Sequence, residues 1–466
     1  MDANRFSGIK EQFYSSFDDP AVFDCAEFNL LKVVQHGARR IRSLRAYTYI
    51  FLPFFLQDLV LFLFRLRMKL SKQITWSTEK ELSRFRGRKF LFLDQGTEVN
   101  DGSMHPVSFF YHHLLSAIGK ENAVLGLTHQ VKTKIGYDLD YHTFYESVYA
   151  RPLTAEDKKM ISDLRKTFRK IKWKTRFSPD QLHKVKAAFE LFWRHYRVWN
   201  EIIRTLQPEK CTLFPHYQQE HIILALRRNG VQVIELQHGL IAPEDFFYVY
   251  PEKINSIRQR ALFADRILVY GQFWKDRLLK GNEYPASAIS VIGYYHPENK
   301  MNDDDFTAFI QQHVPVGKRI ILLTVQKFLE KQFVEYATWL AEDIRKKNMD
   351  YFILVKPHPR PNEDITSLNE IPGVRVVSYN LEYLLTIAEI HVSVFSTTLY
   401  DAVRFRVKNF ALHIEEYGDY VKTVVSSGVA SLLHKNENPI EKIHERKENF
   451  DAGYFYAKPD YFILDK

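Results

Sequence analysis

The chain has 466 residues, of which 45% are apolar and 26% are charged, and its formal net charge is +9. This length exceeds one ordinary core and predicts two domains, while the balance of apolar and charged residues excludes a disordered chain. Its two cysteines, Cys25 and Cys211, lie far apart and in no metal-binding spacing. Neither a disulfide framework nor a zinc site is therefore implied, and a reducing compartment is compatible with the composition.

Residues 1–84 are predicted to form an extension that lies on a membrane. The segment 47–64 reads YTYIFLPFFLQDLVLFLF, and Arg and Lys residues cluster on both of its flanks. A spanning helix needs roughly 20 apolar residues, whereas this segment is shorter and contains Pro53, Gln57 and Asp58. Aromatic rings and flanking cations favour a segment in the interface of an anionic membrane. A helix buried against the first domain is the alternative. No secretory address is expected, because the first residues lack a signal-peptide core.

A buried strand at 89–93 opens the first domain, and a helix and a second strand at 123–127 complete a βαβ unit. The loop after the first strand contains glycine and several acids, although Asp and Asn also favour turns for backbone reasons. The triplets 138–140 and 303–305 have the D-x-D pattern of metal-dependent transferases. Neither follows a clear strand, so both are interpreted as solvated and no metal site is predicted.

Residues 150–207 are predicted to form a helical insertion. Thr154 and Asp157 have the spacing of a capping box, and apolar residues from 182 to 203 recur at steps of three and four. That spacing indicates a buried stripe. The basic run 165–176 is accompanied by no nucleic-acid reading motif. A solvated or lipid-facing surface is favoured, and nucleic acid is not predicted as a partner.

Alternating strands and helices follow the insertion. The strand predicted at 231–236 ends at Gln237-His238-Gly239. Gly239 allows the backbone to approach a ligand closely, and His238 leaves the strand at the edge where open α/β sheets bind ligands. A histidine hydrogen-bonded beneath the turn is the alternative for His238.

The second domain contains two turns suited to phosphate. The apolar run 351–355 ends in Lys356-Pro357-His358-Pro359-Arg360, where two prolines stiffen the backbone around an imidazole flanked by cations. The run 391–395 ends in Ser396-Thr397-Thr398, and hydroxyl residues at such a turn are typical of a helix start and of an anion site. Two such turns on strand ends of one sheet predict a site for nucleotide phosphate.

These motifs resemble the C-terminal half of bacterial GT-B glycosyltransferases, above all those that build capsule, lipopolysaccharide and teichoic-acid polymers. The likeness rests on residues 356–359 followed by 396–402, and Gln237-His238-Gly239 is similar to the same enzymes. The His-Pro turn resembles the one in sialyltransferases, Kdo transferases and CDP-glycerol polymerases. The resemblance covers roughly residues 85–435 and implies an α/β fold with two Rossmann-like domains that face a central cleft.

The resemblance also implies domain boundaries. An N-terminal acceptor domain is expected at 85–293, a linker at 294–317 and a nucleotide-donor domain at 318–435. The tail at 436–466 is expected to pack back on the first domain.

Individual residues acquire roles from the same resemblance. The donor phosphates are expected to contact strand-end residues of the second domain: Lys327, Lys356, His358, Arg360, Ser396, Thr397 and Thr398. The candidates for catalysis are acids and histidines of the first domain: Asp94, Glu98, Asp101, His105 and His238. Gln237, Gly239 and Asp401 are expected to line the cleft. Asp401 stands where many of these enzymes have Glu.

The implied reaction transfers a sugar from a CMP-, CDP- or UDP-linked donor to a growing polysaccharide or glycolipid. It would occur at the cytoplasmic face of the cell membrane, without a metal or a further cofactor. The alternatives are a CDP-polyol phosphotransferase of the teichoic-acid type, an enzyme like the UDP-sugar 2-epimerases, and a non-catalytic partner of polysaccharide export. The basic-flanked apolar segment argues against the soluble epimerases, and the intact His358 and Ser396–Thr398 turns argue against a decayed site.

Overall fold

The computed structural model describes residues 82–99, 106–128, 134–139, 152–170, 179–216, 219–241, 248, 263–280, 285–296, 303–358, 363–444 and 451–465. They divide into two compact units. The first unit contains the described residues up to His296 and from Pro459 onwards, and the second contains those from Asp303 to Lys458. Several predicted features lie outside the described residues, namely the segment 47–64, Asp101, His105 and Arg360.

The first unit is built on a parallel sheet. Its described strands are β1 (Phe90–Asp94), β2 (Glu98–Val99), β3 (Val107–Ser108), β4 (Ala123–Leu127), β5 (Lys210–Leu213), β6 (Gln232–Leu236), β7 (Arg266–Val269) and β8 (Ile289–Val291). The sheet has the order β4-β1-β5-β6-β7-β8 with parallel pairing throughout, and β2 and β3 form a short antiparallel ribbon. All residues of β1 and β4 are buried, as expected for parallel strands covered on both faces.

The described helices of this unit are α1 (His112–Ile118), α2 (Ala155–Lys170), α3 (Pro179–Leu206), α4 (Glu220–Arg228) and α5 (Gln272–Lys280). A capping box starts α2, because Thr154 Oγ1 accepts from Asp157 N at 3.1 Å and Asp157 Oδ2 accepts from Thr154 N at 2.6 Å. On α3, Phe192, Trp199 and Ile203 are buried. The aromatic stripe predicted there is therefore a packing face.

The second unit has a parallel sheet of its own. Its described strands are β9 (Arg319–Thr324), β10 (Tyr351–Lys356), β11 (Val374–Val376), β12 (Ala388–Ser393), β13 (Lys408–Leu412) and β14 (Ser431–Leu433). Its described helices are α6 (Asp303–His313), α7 (Glu330–Lys346), α8 (Leu381–Ile387), α9 (Thr398–Asp401), α10 (Gly418–Ser426) and α11 (Ala452–Phe455). The sheet order is β11-β10-β9-β12-β13-β14 with parallel pairing throughout. Counted from β9, this is the order 3-2-1-4-5-6 of a Rossmann fold.

The two sheets confirm the predicted α/β class with two Rossmann-like domains. In the second unit, Ile320 and Leu322 of β9 join Phe352 and Leu354 of β10 in a buried apolar cluster. Because side chains alternate along a strand, these four lie on one face of the sheet. Phe309 of α6 belongs to the same cluster.

The stretch 294–317, predicted as a linker, is divided between the units. Tyr295 and His296 are buried in the first unit, whereas α6 is part of the second because Phe309 packs into its core. The tail 436–466 is divided as well. Its last residues lie in the first unit, where Lys89 Nζ donates to Asp465 Oδ1 at 2.7 Å and Lys210 Nζ donates to the Leu464 carbonyl at 2.7 Å.

No helix in the described part of the chain has the length and hydrophobicity needed to cross a bilayer.

Candidate functional site

The carboxyl ends of β10, β9 and β12 lie side by side in the second sheet. The chain runs outward from β9 through β10 to β11, and then returns to the other side of β9 as β12. The order of the strands thus reverses between β9 and β12. In open α/β sheets the crevice outside such a reversal is where ligands bind. The residues that follow these strands therefore form the candidate site.

Hydrogen bonds join the loops after β9 and β12. Gln326 Oε1 accepts from Phe395 N at 2.9 Å, and Ser393 Oγ donates to the Thr324 carbonyl at 2.9 Å. Ser396 Oγ accepts from Thr398 N at 3.3 Å, where α9 begins. The hydroxyl turn predicted at 396–398 is therefore held against the end of β9 by contacts at its base.

A buried chain of polar side chains runs beneath this turn. Thr324 Oγ1 lies 2.9 Å from Thr398 Oγ1 and 2.8 Å from His391 Nε2, and His391 Nδ1 lies 2.8 Å from Asn409 Oδ1. Asn409 Nδ2 donates to the Leu399 carbonyl at 2.7 Å. Burial lowers the pKa of His391 to about 4, so its ring is neutral at neutral pH. We call Asn409, His391, Thr324 and Thr398 the buried relay.

The end of β10 supplies the cationic side of the candidate site. Lys356 is half-buried and its ammonium donates to the Tyr379 carbonyl, and burial lowers its pKa. His358 is half-buried two residues further on. Lys327, after β9, is exposed, with its Nζ 5.0 Å from the centroid of the Phe328 ring. Lys356 thus ends the strand next to β9, on the side opposite the hydroxyl turn, and His358 lies just beyond that strand.

Asp401 ends α9, on the C-terminal side of the hydroxyl turn. Its Oδ1 accepts from the Tyr456 hydroxyl at 2.9 Å. Burial raises the pKa of Asp401 to about 6, although the hydrogen bond from Tyr456 and the nearby Arg404 pull it down. A carboxyl with this pKa changes its charge in mildly acidic solution.

The first sheet reverses its strand order between β1 and β5, and Gln95 bridges this point by donating from Nε2 to the Phe214 carbonyl at 2.5 Å. Asp94 is fully buried here. Its Oδ1 accepts from Gln95 N and Gly96 N, and its Oδ2 accepts from the hydroxyls of Ser108 and Tyr137, at 2.5 to 3.2 Å. Burial raises the pKa of Asp94, although these four hydrogen bonds lower it. Because a carboxylate has about four lone-pair sites, Asp94 holds the loop and has little capacity left for a substrate proton.

The remaining catalytic candidate of that loop among the described residues is Glu98. It is exposed, and its Oε1 accepts from Lys134 N.

Gln237 is buried and holds the turn after β6. Its Oε1 accepts from Tyr270 N and its Nε2 donates to the Gly239 carbonyl, both at 2.9 Å. His238 follows it, half-buried, with its ring centroid 6.3 Å from that of Phe214. Burial lowers the pKa of His238, although Glu235 pulls it up, so the imidazole is neutral near pH 7. Gln237 thus holds the turn through hydrogen bonds to backbone groups, whereas His238 is a neutral base at a strand end.

A buried acid on β6 is not among the residues predicted from the sequence. Glu235 is 0% exposed; its Oε1 accepts from the Tyr248 hydroxyl at 2.6 Å, and its Oε2 pairs with His216 Nδ1. Burial alone would raise the pKa of Glu235, but the attraction and hydrogen bond of His216, together with His238 and the Tyr248 hydroxyl, outweigh it and hold the pKa below its ordinary value. The one signal in the sequence was a single acid inside an apolar strand.

No group of His, Cys, Asp and Glu in the described residues is arranged to hold a metal ion.

No protein-family model matches the chain, and neither does any curated protein. Solved structures similar to it include the UDP-GlcNAc 2-epimerase from Neisseria meningitidis bound to UDP-GlcNAc, with 14% identity, a TM-score of 0.48 and coverage of 81% of this chain and 98% of that one. The S. aureus MnaA-UDP co-structure has 13% identity, a TM-score of 0.46 and coverage of 81% and 94%. The glycosyltransferase SnogD from Streptomyces nogalater has 13% identity, a TM-score of 0.41 and coverage of 75% and 87%. Because these scores are low, the fold is defined by the two sheets themselves.

Proposed function

We propose that the second unit binds a nucleotide sugar outside the carboxyl ends of β9, β10 and β12, and that the protein transfers its sugar to a cell-surface polysaccharide or glycolipid. The observation that carries the proposal is the reversal of strand order between β9 and β12, with the hydroxyl turn 396–398 beside it. Doubly wound sheets bind nucleotides at this point.

The chemistry requires groups that neutralise the leaving nucleotide phosphate. Lys356 ends β10 and His358 follows it at the same edge of the sheet, and Lys327 follows β9. Donors and cations that are already in place stabilise charge as it develops and cost little reorganisation during the reaction. Positioning the donor sugar against its acceptor would supply the rest of the rate enhancement.

The acceptor hydroxyl needs a base, and His238 of the first unit is our candidate. Its imidazole is neutral near pH 7 because burial lowers its pKa, and a neutral imidazole can take a proton in the transition state. Asp94 is less suited, since its oxygens accept four hydrogen bonds within the protein.

A pair of histidine variants tests the two roles. We expect His358→Ala to lower transfer at least ~100-fold, the range for losing a preorganised donor to developing charge, and to weaken nucleotide binding. His238→Ala should lower turnover while nucleotide binding stays nearly unchanged. The exposed His444 provides the matched control, His444→Ala, which should alter neither. Near-wild-type turnover of His358→Ala would remove His358 from the mechanism.

Binding is measured by thermal shift with CMP, CDP, UDP and GDP, because a ligand that binds the folded state stabilises it by mass action. Product analysis separates the reactions: sugar transfer supports the proposal, transfer of a polyol phosphate points to the teichoic-acid type, and inversion at sugar C2 points to an epimerase. A protein that binds none of the four nucleotides would contradict a donor site in the second unit.

We also propose that the protein acts at the inner face of the cell membrane. The support is the sequence of residues 47–64, which is apolar and aromatic and is flanked by cations. Deleting residues 1–80 should abolish co-sedimentation with anionic liposomes. If the truncated chain sediments as well as the full chain, another surface is responsible, and the basic run 165–176 is the next to be tested.

A further inference from the structure

The hydrogen atoms of the buried relay can be placed from its geometry and from the neutral state of the His391 ring, starting at Asn409. Asn409 Nδ2 lies 2.7 Å from the Leu399 carbonyl, which can only accept. The amide group is therefore fixed with its nitrogen toward that carbonyl and its Oδ1 toward His391 Nδ1, at 2.8 Å. Asn409 and His391 are both fully buried, so no water competes for these contacts.

The orientation of Asn409 fixes the tautomer of His391. Oδ1 can only accept, so Nδ1 must carry the hydrogen. Burial lowers the pKa of this ring to about 4, so at neutral pH Nε2 is bare and can only accept. Thr324 Oγ1, 2.8 Å away, must then donate its single hydrogen to Nε2.

The same direction of hydrogen-bond donation extends to Thr398, the half-buried end of the relay. Because Thr324 has used its hydrogen, the 2.9 Å contact between the two hydroxyls requires Thr398 to donate to Thr324. The Thr398 hydroxyl is left with lone pairs and no hydrogen to offer a ligand. Thr398 is half-buried, unlike the fully buried His391 and Asn409, and lies at the strand-order reversal.

We propose that Thr398 recognises a hydroxyl group of the bound nucleotide sugar, as an acceptor, and does not contact its phosphate. A phosphate oxygen also only accepts, so lone pairs would face lone pairs, whereas a sugar hydroxyl brings the missing hydrogen. This inference rests on the nucleotide site proposed above and separates Thr398 from the phosphate-binding role expected for residues 396–398. The relay acts as a positioning device that fixes which hydrogen-bonding role Thr398 can play.

The test compares ligands that have hydroxyl groups with one that has none. Dissociation constants are measured for the nucleotide that stabilises the wild type most among CMP, CDP, UDP and GDP, for its 2′-deoxy and 3′-deoxy forms, for its sugar-linked forms, and for inorganic pyrophosphate. The variants are Thr398→Val, which keeps the shape and removes the hydroxyl, and Thr398→Ser, which keeps the hydroxyl. Thr338→Val is the matched control, because Thr338 is a half-buried threonine in α7 that donates to the Val334 carbonyl at 2.8 Å.

We expect Thr398→Val to weaken binding of the ligand that carries the recognised hydroxyl, either the nucleotide or its sugar-linked form, about threefold to tenfold, the ordinary range for one neutral hydrogen bond, and to leave pyrophosphate binding unchanged. Thr398→Ser and Thr338→Val should bind like the wild type. If the ribose supplies the hydroxyl, one deoxy form should bind the wild type and Thr398→Val equally. If the transferred sugar supplies it, the difference should appear only with the complete nucleotide sugar. Either pattern supports the acceptor role.

Thr324→Val tests the direction of the relay itself. Without the Thr324 acceptor, the Thr398 hydrogen is released and can reach a phosphate oxygen. Pyrophosphate should then bind about threefold to tenfold more tightly than to the wild type, and discrimination against the deoxy nucleotide should shrink.

Two results would overturn the assignment of Thr398 alone: binding of the nucleotide and of its sugar-linked forms by the wild type that Thr398→Val leaves unchanged, or an equal loss of nucleotide and pyrophosphate binding in that variant. A wild type that binds no nucleotide would instead overturn the proposed function together with this inference.

Discussion

The carboxyl edges of the two sheets use different chemistry to organise their loops. In the second unit the buried relay consists of neutral groups, and it ends in a half-buried hydroxyl at Thr398. In the first unit the buried groups include two acids, Asp94 and Glu235, and each is surrounded by donors from its own unit. Both edges lie where open α/β sheets bind ligands.

The difference follows from the free energy of burying charge. A buried carboxylate must be fully hydrogen-bonded or paired, so Glu235 engages Tyr248 and His216. A neutral relay has a much smaller desolvation cost, and it can leave its last lone pairs open without destabilising the fold. The acids of the first unit therefore stabilise loops, and the neutral relay of the second unit is the better platform for a ligand.

The largest expected effect tests Glu235, His216 and Tyr248, which we call the charged cluster. Glu235→Ala removes the partner of His216 and Tyr248 and should lower the free energy of unfolding by about 3–5 kcal/mol, the range for breaking a buried pair. Urea unfolding followed by circular dichroism measures it. Glu389→Ala is the control, because Glu389 pairs with Arg319 at the surface. Its loss should be about 0.2–1 kcal/mol. Equal losses in both variants would mean that the charged cluster stabilises the fold no more than a surface ion pair does.

Strands and strand ends could be predicted from the sequence, whereas the side-chain networks could not. Continuous apolar runs such as 89–93 and 351–355 indicate strands buried on both faces, and β1 (90–94) and β10 (351–356) occur there. Thr324 and Thr398 are 74 positions apart and meet only because β9 and β12 pair. No local pattern encodes that contact. Glu235 and His216, 19 positions apart, meet because β5 and β6 pair. The only sequence signal for their contact is the single acid within β6.

Truncating a residue of the buried relay should lower the free energy of unfolding less than truncating a residue of the charged cluster. Asn409→Ala leaves the Nδ1 hydrogen of His391 and the Leu399 carbonyl without the partners that Asn409 provides. The expected loss is about 1–3 kcal/mol in the free energy of unfolding, the cost of leaving buried polar groups unsatisfied. Urea unfolding measures it against Asn369→Ala, since Asn369 is exposed and accepts one bond from Val376 N. A loss as large as that of Glu235→Ala would erase the distinction between the two edges.

The smallest expected effect concerns Asp401, which is half-buried and whose pKa is raised by burial to about 6 from an ordinary value of 3.8. Between these values the folded protein holds a proton that the unfolded chain has released, so its contribution to stability is present at low pH and is lost as pH rises. Glu235 has the opposite sign: its pKa is lowered, and its contribution is lost as pH falls below its ordinary value of 4.5. Unfolding measured from about pH 4 to pH 7 should therefore show that Asp401→Asn flattens the decline seen in the wild type. Tyr456→Phe removes the bond that favours the ionised carboxyl, so it should extend the decline to higher pH. An unaltered pH profile in Asp401→Asn would show that burial does not raise the pKa of this carboxyl.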